Sequence, residues 1–278
     1  MAFAHFQYAN MGIEQEYHFK KSEEFVKKAL TIDPEVAEAH FVYANILLAF
    51  HGNPSDAIKH FNKANLNNPG NPEIMIWLAW CYQMIGKPDA AIPLTERCIK
   101  IDPLNPLYDT FKGLNNFMTG KFDLALNPLL EVYKLFPQAS MWQLWKTLAL
   151  MYNDLATETG DFLNEVAREP GQDSLSKLLI FLKYALKGDK EKMTILMTPE
   201  FVRNMQVDCQ YSWHLAAFYS YLNEKQKALG WIENAVARGF INYPMLNNYD
   251  RLLNNIRGEE RFKQLMKRVK HEWENFKV

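Results

Sequence analysis

Seven histidines, three cysteines and one glycine–lysine turn are the residues of this sequence that could carry chemistry, and their spacing decides whether they do. The histidines (His5, His18, His40, His51, His60, His214 and His271) form no HExxH pair and have no cysteine at zinc spacing. His51 and His60 stand nine apart across a turn, and helix packing or a surface position accounts for both without a metal. Cys81, Cys98 and Cys209 contain no CxxC and are odd in number, so no disulfide framework is expected. Gly113 to Lys121 imitates a phosphate-binding loop. Its first glycine lies two residues too far from Gly120-Lys121, and Phe122 stands where Ser or Thr would hold magnesium. No GxSxG elbow is present, and nothing assembles a nucleophile, a base and an oxyanion site. The expectation is therefore no catalytic residue, no metal and no cofactor.

The same residues fall into place in a repeat. Pro69, Pro103 and Pro137 are 34 apart, and Pro34 precedes Pro69 by 35. Gly52, Gly86 and Gly120 keep the same step, with Gly188 two periods on, and Ala57, Ala91 and Ala125 form a third series. A helix, a turn at glycine, a second helix and a proline stop recur over Ala39–Pro69, Ile74–Pro103 and Leu107–Pro137. Ala44, Ala79 and Gly113 on the first helices, and the alanine series on the second, let the paired helices approach closely. Phe61 and Tyr82 fill the space between repeats, and Cys98 takes a small core position held by Ala29 and Ala64 elsewhere.

Period and pattern resemble the tetratricopeptide (TPR) family, which implies an all-α, right-handed superhelical solenoid of about seven TPR helix pairs with a C-terminal capping helix. The expected division is a TPR array over 1–240 and capping helices over 241–278. Within the array the repeats are regular over 35–137 and irregular over 138–210, with Asp154 in place of the turn glycine, and a last repeat spans 211–240. Pro244 is expected at or near a helix start, and Phe262, Leu265, Met266, Val269, Trp273 and Phe276 form one apolar stripe of the closing helix. The ending also resembles the carboxyl end of certain bacterial signalling proteins. The residues that carry this are Arg238-Gly239-Phe240-Ile241-Asn242-Tyr243-Pro244, Ile256 to Phe262 and Val269 to Glu274. Such proteins place TPR arrays behind a serine/threonine kinase, an adenylate/guanylate cyclase or a winged-helix regulator. The resemblance implies the sensory or regulatory portion of one, and the uncapped start at Ala2 suggests a fragment of a longer chain.

In a TPR array the first helices line the inner groove. Here that groove is apolar: Phe41 and Asn45, then Ile76, Trp77, Trp80 and Met84, then Phe111, Leu114, Phe117 and Met118, then Trp145. Domains that clamp a peptide carboxylate place Lys, Arg and Asn there, so a receptor for chaperone tails is not expected. Two readings of the stripe remain: it is core inside a tightly coiled superhelix, or it holds an apolar or amphipathic segment of a partner or an attached effector domain.

Charge narrows the partner. Lys plus Arg number 31 against 32 Asp plus Glu, a net charge of −1, which argues against nucleic acid. No apolar run reaches the length of a membrane span, so no membrane contact is expected of this segment; cytoplasmic placement is preferred, with an extracytoplasmic one open if a longer parent spans the membrane. The leading expectation is a non-enzymatic protein–protein interaction module. A sensor enclosing a small apolar ligand and a homodimerisation module are the alternatives.

Overall fold

Asparagine and proline begin the helices. Asn53, Asn71 and Asn105 each accept a backbone N–H of the following turn (Asp56 at 3.1 Å, Glu73 at 2.9 Å, Leu107 at 3.1 Å), and Pro54, Pro72 and Pro106 take the first helical position, where no N–H is needed. The computed structural model describes residues 1–10 and 14–277; Met11–Ile13 and Val278 lie outside the described residues. It contains helices and no strand among them.

Among the described residues, seven antiparallel pairs succeed one another. They are α1 (Ala2–Asn10) with α2 (Gln15–Ile32), α3 (Ala37–Ala49) with α4 (Pro54–Asn67), α5 (Pro72–Met84) with α6 (Pro88–Ile101), and α7 (Pro106–Met118) with α8 (Phe122–Leu135). Then come α9 (Ser140–Tyr152) with α10 (Ala156–Val166), α11 (Ser174–Leu186) with α12 (Lys190–Leu196), an inserted α13 (Pro199–Val207), and α14 (Cys209–Tyr221) with α15 (Lys225–Ala237). A π-turn at Met245–Tyr249, a 3₁₀ segment at Arg251–Ile256 and α16 (Glu260–Asn275) complete the chain.

The turn inside each later pair needs a left-handed residue, and its position keeps the period to the end. Gly52, Gly86, Gly120, Asp154, Gly188 and Asn223 all have φ between 58° and 78°. The stretch 138–210 is thus regular in its turns. Its irregularity is the break at Thr198-Pro199, which stops α12 after seven residues and starts α13. Small residues permit the close pairing: Ala44, Ala57, Ala91 and Ala125 are fully buried, and a side chain at Gly113 would meet Pro128 Cβ at 2.7 Å.

The C-terminal segment does more than cap. α16 does cover the last pair, through Arg261–Glu233 and Lys225–Glu259 ion pairs. The chain from Arg238 onward, however, runs along the row of turns and is hydrogen-bonded to those of the second, third and fifth pairs. Arg238 donates to Phe50 O, Asn242 Nδ2 to Gln83 O at 2.9 Å, Trp273 Nε1 to Gly86 O at 2.8 Å, and Arg251 to Met151 O and to Asp154 at 2.8 Å. Buried Asp250 joins the fifth and seventh pairs, accepting from Tyr152 and from Trp213 Nε1 at 2.6 Å. Absence of a side chain at the turns is what admits this segment: a Cβ at Gly52 would lie 2.8 Å from Arg238 Cα, and one at Gly120 would lie 2.7 Å from Tyr249 Cγ. The superhelix is consequently closed on itself, and α3, α5 and α14 are buried on nearly every face.

Candidate partner-binding cleft

Closure divides the aromatic stripe in two. Phe41, Met84, Phe117 and Met118 become core. Phe117 is packed edge-on against Trp145 at 5.4 Å and against Tyr152 at 4.9 Å. The other seven expected groove residues (Asn45, Ile76, Trp77, Trp80, Phe111, Leu114 and Trp145) line one cleft of about 540 Å³. That volume falls in the range of sites that hold a small molecule or a few side chains of a peptide.

Four consecutive first helices, α3, α5, α7 and α9, build its floor and walls. Trp80 stands at right angles to Phe111 (6.4 Å, 83°) and to Trp145 (5.8 Å, 87°), so the rings form the adjoining sides of a box. Trp77, Phe111 and Trp142 are only half-buried and give the box an open side. Asn45 is spent, donating to Phe41 O at 2.9 Å.

The remaining wall comes from sequence-distant elements. Phe6 of α1 and the first turn of α14, Asp208 to Tyr211, close the cleft from the far side. Asp208 caps α14 by accepting from Gln210 N at 2.7 Å. Burial pushes its carboxyl up to about 6, against the pull of the Gln210 and Tyr211 amides and the Arg238 guanidinium. Behind Trp145 lies His214, 5.8 Å away edge to face, and burial drives its imidazole down to about 3, so it is neutral near pH 7. Among the described residues, Glu73 and Asp208 are the only charged ones lining the cleft.

Other chemistry-bearing groups are occupied structurally. His40 Nε2 bonds Pro34 O at 2.8 Å, which makes it the donor there; its Nδ1 then accepts from His60 Nδ1 at 2.8 Å. His5 and His18 make a similar contact at 2.8 Å, and His51 reaches Glu23. His51 and His60 therefore belong to different partners and do not form a pair. The signal for the histidine contacts was in the sequence: His5-Phe6-Gln7-Tyr8-Ala9-Asn10 repeats as His40-Phe41-Val42-Tyr43-Ala44-Asn45, 35 residues on. All three cysteines are buried and free, and burial raises the thiol of each, up to about 11 for Cys98. No cluster of three or more metal-ligating side chains occurs among the described residues.

Comparison with known proteins gives the same architecture. The tetratricopeptide repeat family model matches residues 51–114. A curated relative, the Hsp70-Hsp90 organizing protein of Triticum aestivum, is 29% identical over 94 residues, which is 34% of this chain and 16% of that protein's length. Among solved structures, a tetratricopeptide repeat protein of Parabacteroides merdae aligns over 97% of this chain and 98% of its own, with 13% identity and a TM-score of 0.51. The human IFIT1 dimer with m7Gppp-AAAA aligns over 91% of this chain and 68% of its own, with 15% identity and a TM-score of 0.55. At these identities the likeness is one of fold, and it agrees with the 34-residue period and the paired helices: the chain is all-α and has the superhelical fold of a tetratricopeptide-repeat solenoid.

Proposed function

We propose that this chain is a non-enzymatic interaction module that holds an apolar segment of a partner protein in the cleft between α5, α7, α9 and the start of α14. One observation carries the reading. Closure buries most of the groove, yet it leaves Trp77, Phe111 and Trp142 half-exposed around a cavity of about 540 Å³, where a self-sufficient core would have closed over them. Partner capture through TPR surfaces is also the general use of the fold.

The wheat relative is named as an organiser of two chaperones. Among the described residues no Lys, Arg or His lines the cleft, so capture of a chaperone's C-terminal carboxylate is not carried over. The bacterial signalling context, as the sensory or regulatory part of a longer protein, rests on the resemblance of residues 238–274. We read 1–240 as the array and 241–278 as the segment that shapes it for this role. Among the described residues no helix is long and apolar enough to cross a membrane.

Trp77→Asp tests the reading. It places an unpaired charge in the open side of the cleft and is expected to abolish partner capture while the helical CD signal is retained. Undiminished capture by a folded Trp77→Asp protein refutes it. A small apolar ligand in the same cleft is the second reading, favoured by the right-angled ring walls; added mass in native spectrometry would establish it.

A further inference from the structure

The charges around the cleft say what kind of side chain its partner brings. We propose that the occupant is a partner segment presenting an arginine, whose guanidinium lies against the Trp77, Trp80 and Phe111 rings and faces the carboxylates of Glu73 and Asp208. This rests on the reading of the cleft as the partner site and gives that site its chemistry.

Three observations favour a cation. Aromatic faces attract cations, and Trp most strongly; four of the chain's seven tryptophans (Trp77, Trp80, Trp142 and Trp145) line this one cavity. Both charged residues of the lining are acidic, one on the α5 side and one on the α14 side. Among the described residues no lining side chain is positive, and His214 behind Trp145 is neutral; Arg238 stands outside the lining with its N–H groups taken by Phe50 O and Val207 O, though its charge offsets part of the pull of Asp208.

A counter-effect must be weighed. The first turns of α5, α7, α9 and α14 line the mouth, and helix amino ends attract anions. Side-chain oxygens of Asn71, Asn105 and Asp208 already cap three of the four, which spends part of that field. An anionic ligand would also meet two carboxylates with no basic side chain in the lining. Arginine suits the box better than lysine, because a planar, weakly hydrated guanidinium stacks on indole while its aliphatic stem follows Ile76 and Leu114.

The test uses the full chain and two small probes, butylguanidinium, which is the end of an arginine side chain, and butylurea, its uncharged isostere. Binding is read by tryptophan fluorescence and by saturation-transfer NMR. The expected result is about tenfold tighter binding of butylguanidinium. That preference should fall toward unity in Glu73→Gln, at an exposed site, and in Asp208→Asn, which keeps a side-chain oxygen for the α14 cap. Equal binding of the two probes overturns the cation inference and leaves the apolar cleft reading standing. Failure of both probes to bind at millimolar concentration overturns both. Butyltrimethylammonium serves as a third, control probe, and its tighter binding than that of butylguanidinium overturns arginine as the occupant.

Discussion

Gly120 and Gly188 sit in equivalent turns with nearly the same backbone, φ 78° and φ 69°, so the repeat alone assigns them equal roles. The closing segment makes them unequal. At Gly188 an added Cβ meets nothing within 4 Å, and Gly188→Ala should cost only the left-handed penalty of an L-residue, about 1–2 kcal/mol. At Gly120 the same Cβ would sit 2.7 Å from Tyr249 Cγ, 2.8 Å from Cδ1 and 3.2 Å from Cβ. These atoms lie at the root of the tyrosine, so the ring cannot swing clear without moving the π-turn that carries it. Gly120→Ala should therefore cost about 1–3 kcal/mol more than Gly188→Ala. At about 2–4 °C per kcal/mol for a chain of this size, the gap in Tm is about 2–12 °C. Tyr249→Ala in the Gly120→Ala background should recover most of the gap, a favourable coupling in a double-mutant cycle. Thermal melts followed by CD and by differential scanning calorimetry measure the wild type, the three single variants and the double variant. Equal Tm losses for the two glycine variants, or additivity of Gly120→Ala with Tyr249→Ala, would refute the claim that the segment is seated on the turns.

Two further outcomes follow from burial. Ala91 has no exposed surface between paired helices, so Ala91→Leu overpacks the third pair and should lower stability by about 1–3 kcal/mol in chemical denaturation; an unchanged midpoint would count against the pairing. His214 has its folded-state value driven down to about 3 by burial, below the ordinary 6.5 of the unfolded chain. As pH falls below about 6.5 the unfolded state takes up a proton that the folded state refuses, so stability is lost progressively down to about 3; the loss from this residue at pH 5 is about 2 kcal/mol. His214→Gln should be less sensitive than the wild type between pH 7 and 5, and parallel curves would contradict that.

What the sequence made readable was local. The turn row at Gly52, Gly86, Gly120, Asp154 and Gly188 is legible because positive φ restricts residue choice to a few types. Asn223 completes the row and escapes a search for glycine, since asparagine tolerates the same backbone. The apolar stripe of α16 is legible from its 3.6-residue spacing, and Phe262, Leu265, Met266 and Val269 are buried. What the far end of that stripe packs against is not. Trp273 meets Gly86 across 187 residues, and no periodicity encodes such a contact. The cleft divides in the same way. Its walls from α5 and α7 follow from the repeat register, whereas Phe6, Asp208 and Tyr211 arrive from either end of the chain once the superhelix closes. Asp208 caps α14 by a local hydrogen bond, and its place in one lining with Glu73 is a product of tertiary structure.

Photocrosslinking from the cleft tests the interaction account most directly. Trp142→p-benzoylphenylalanine replaces one half-exposed ring of the cleft with another aromatic, and Leu66→p-benzoylphenylalanine places the same probe at a strongly exposed position of α4, outside the cleft. Irradiated in the native host, the cleft probe should give a discrete crosslink to a partner protein that Trp77→Asp eliminates, and the Leu66 probe should not give that product. The same product from both positions, or none from the cleft, would contradict the assignment of this cavity as the partner site.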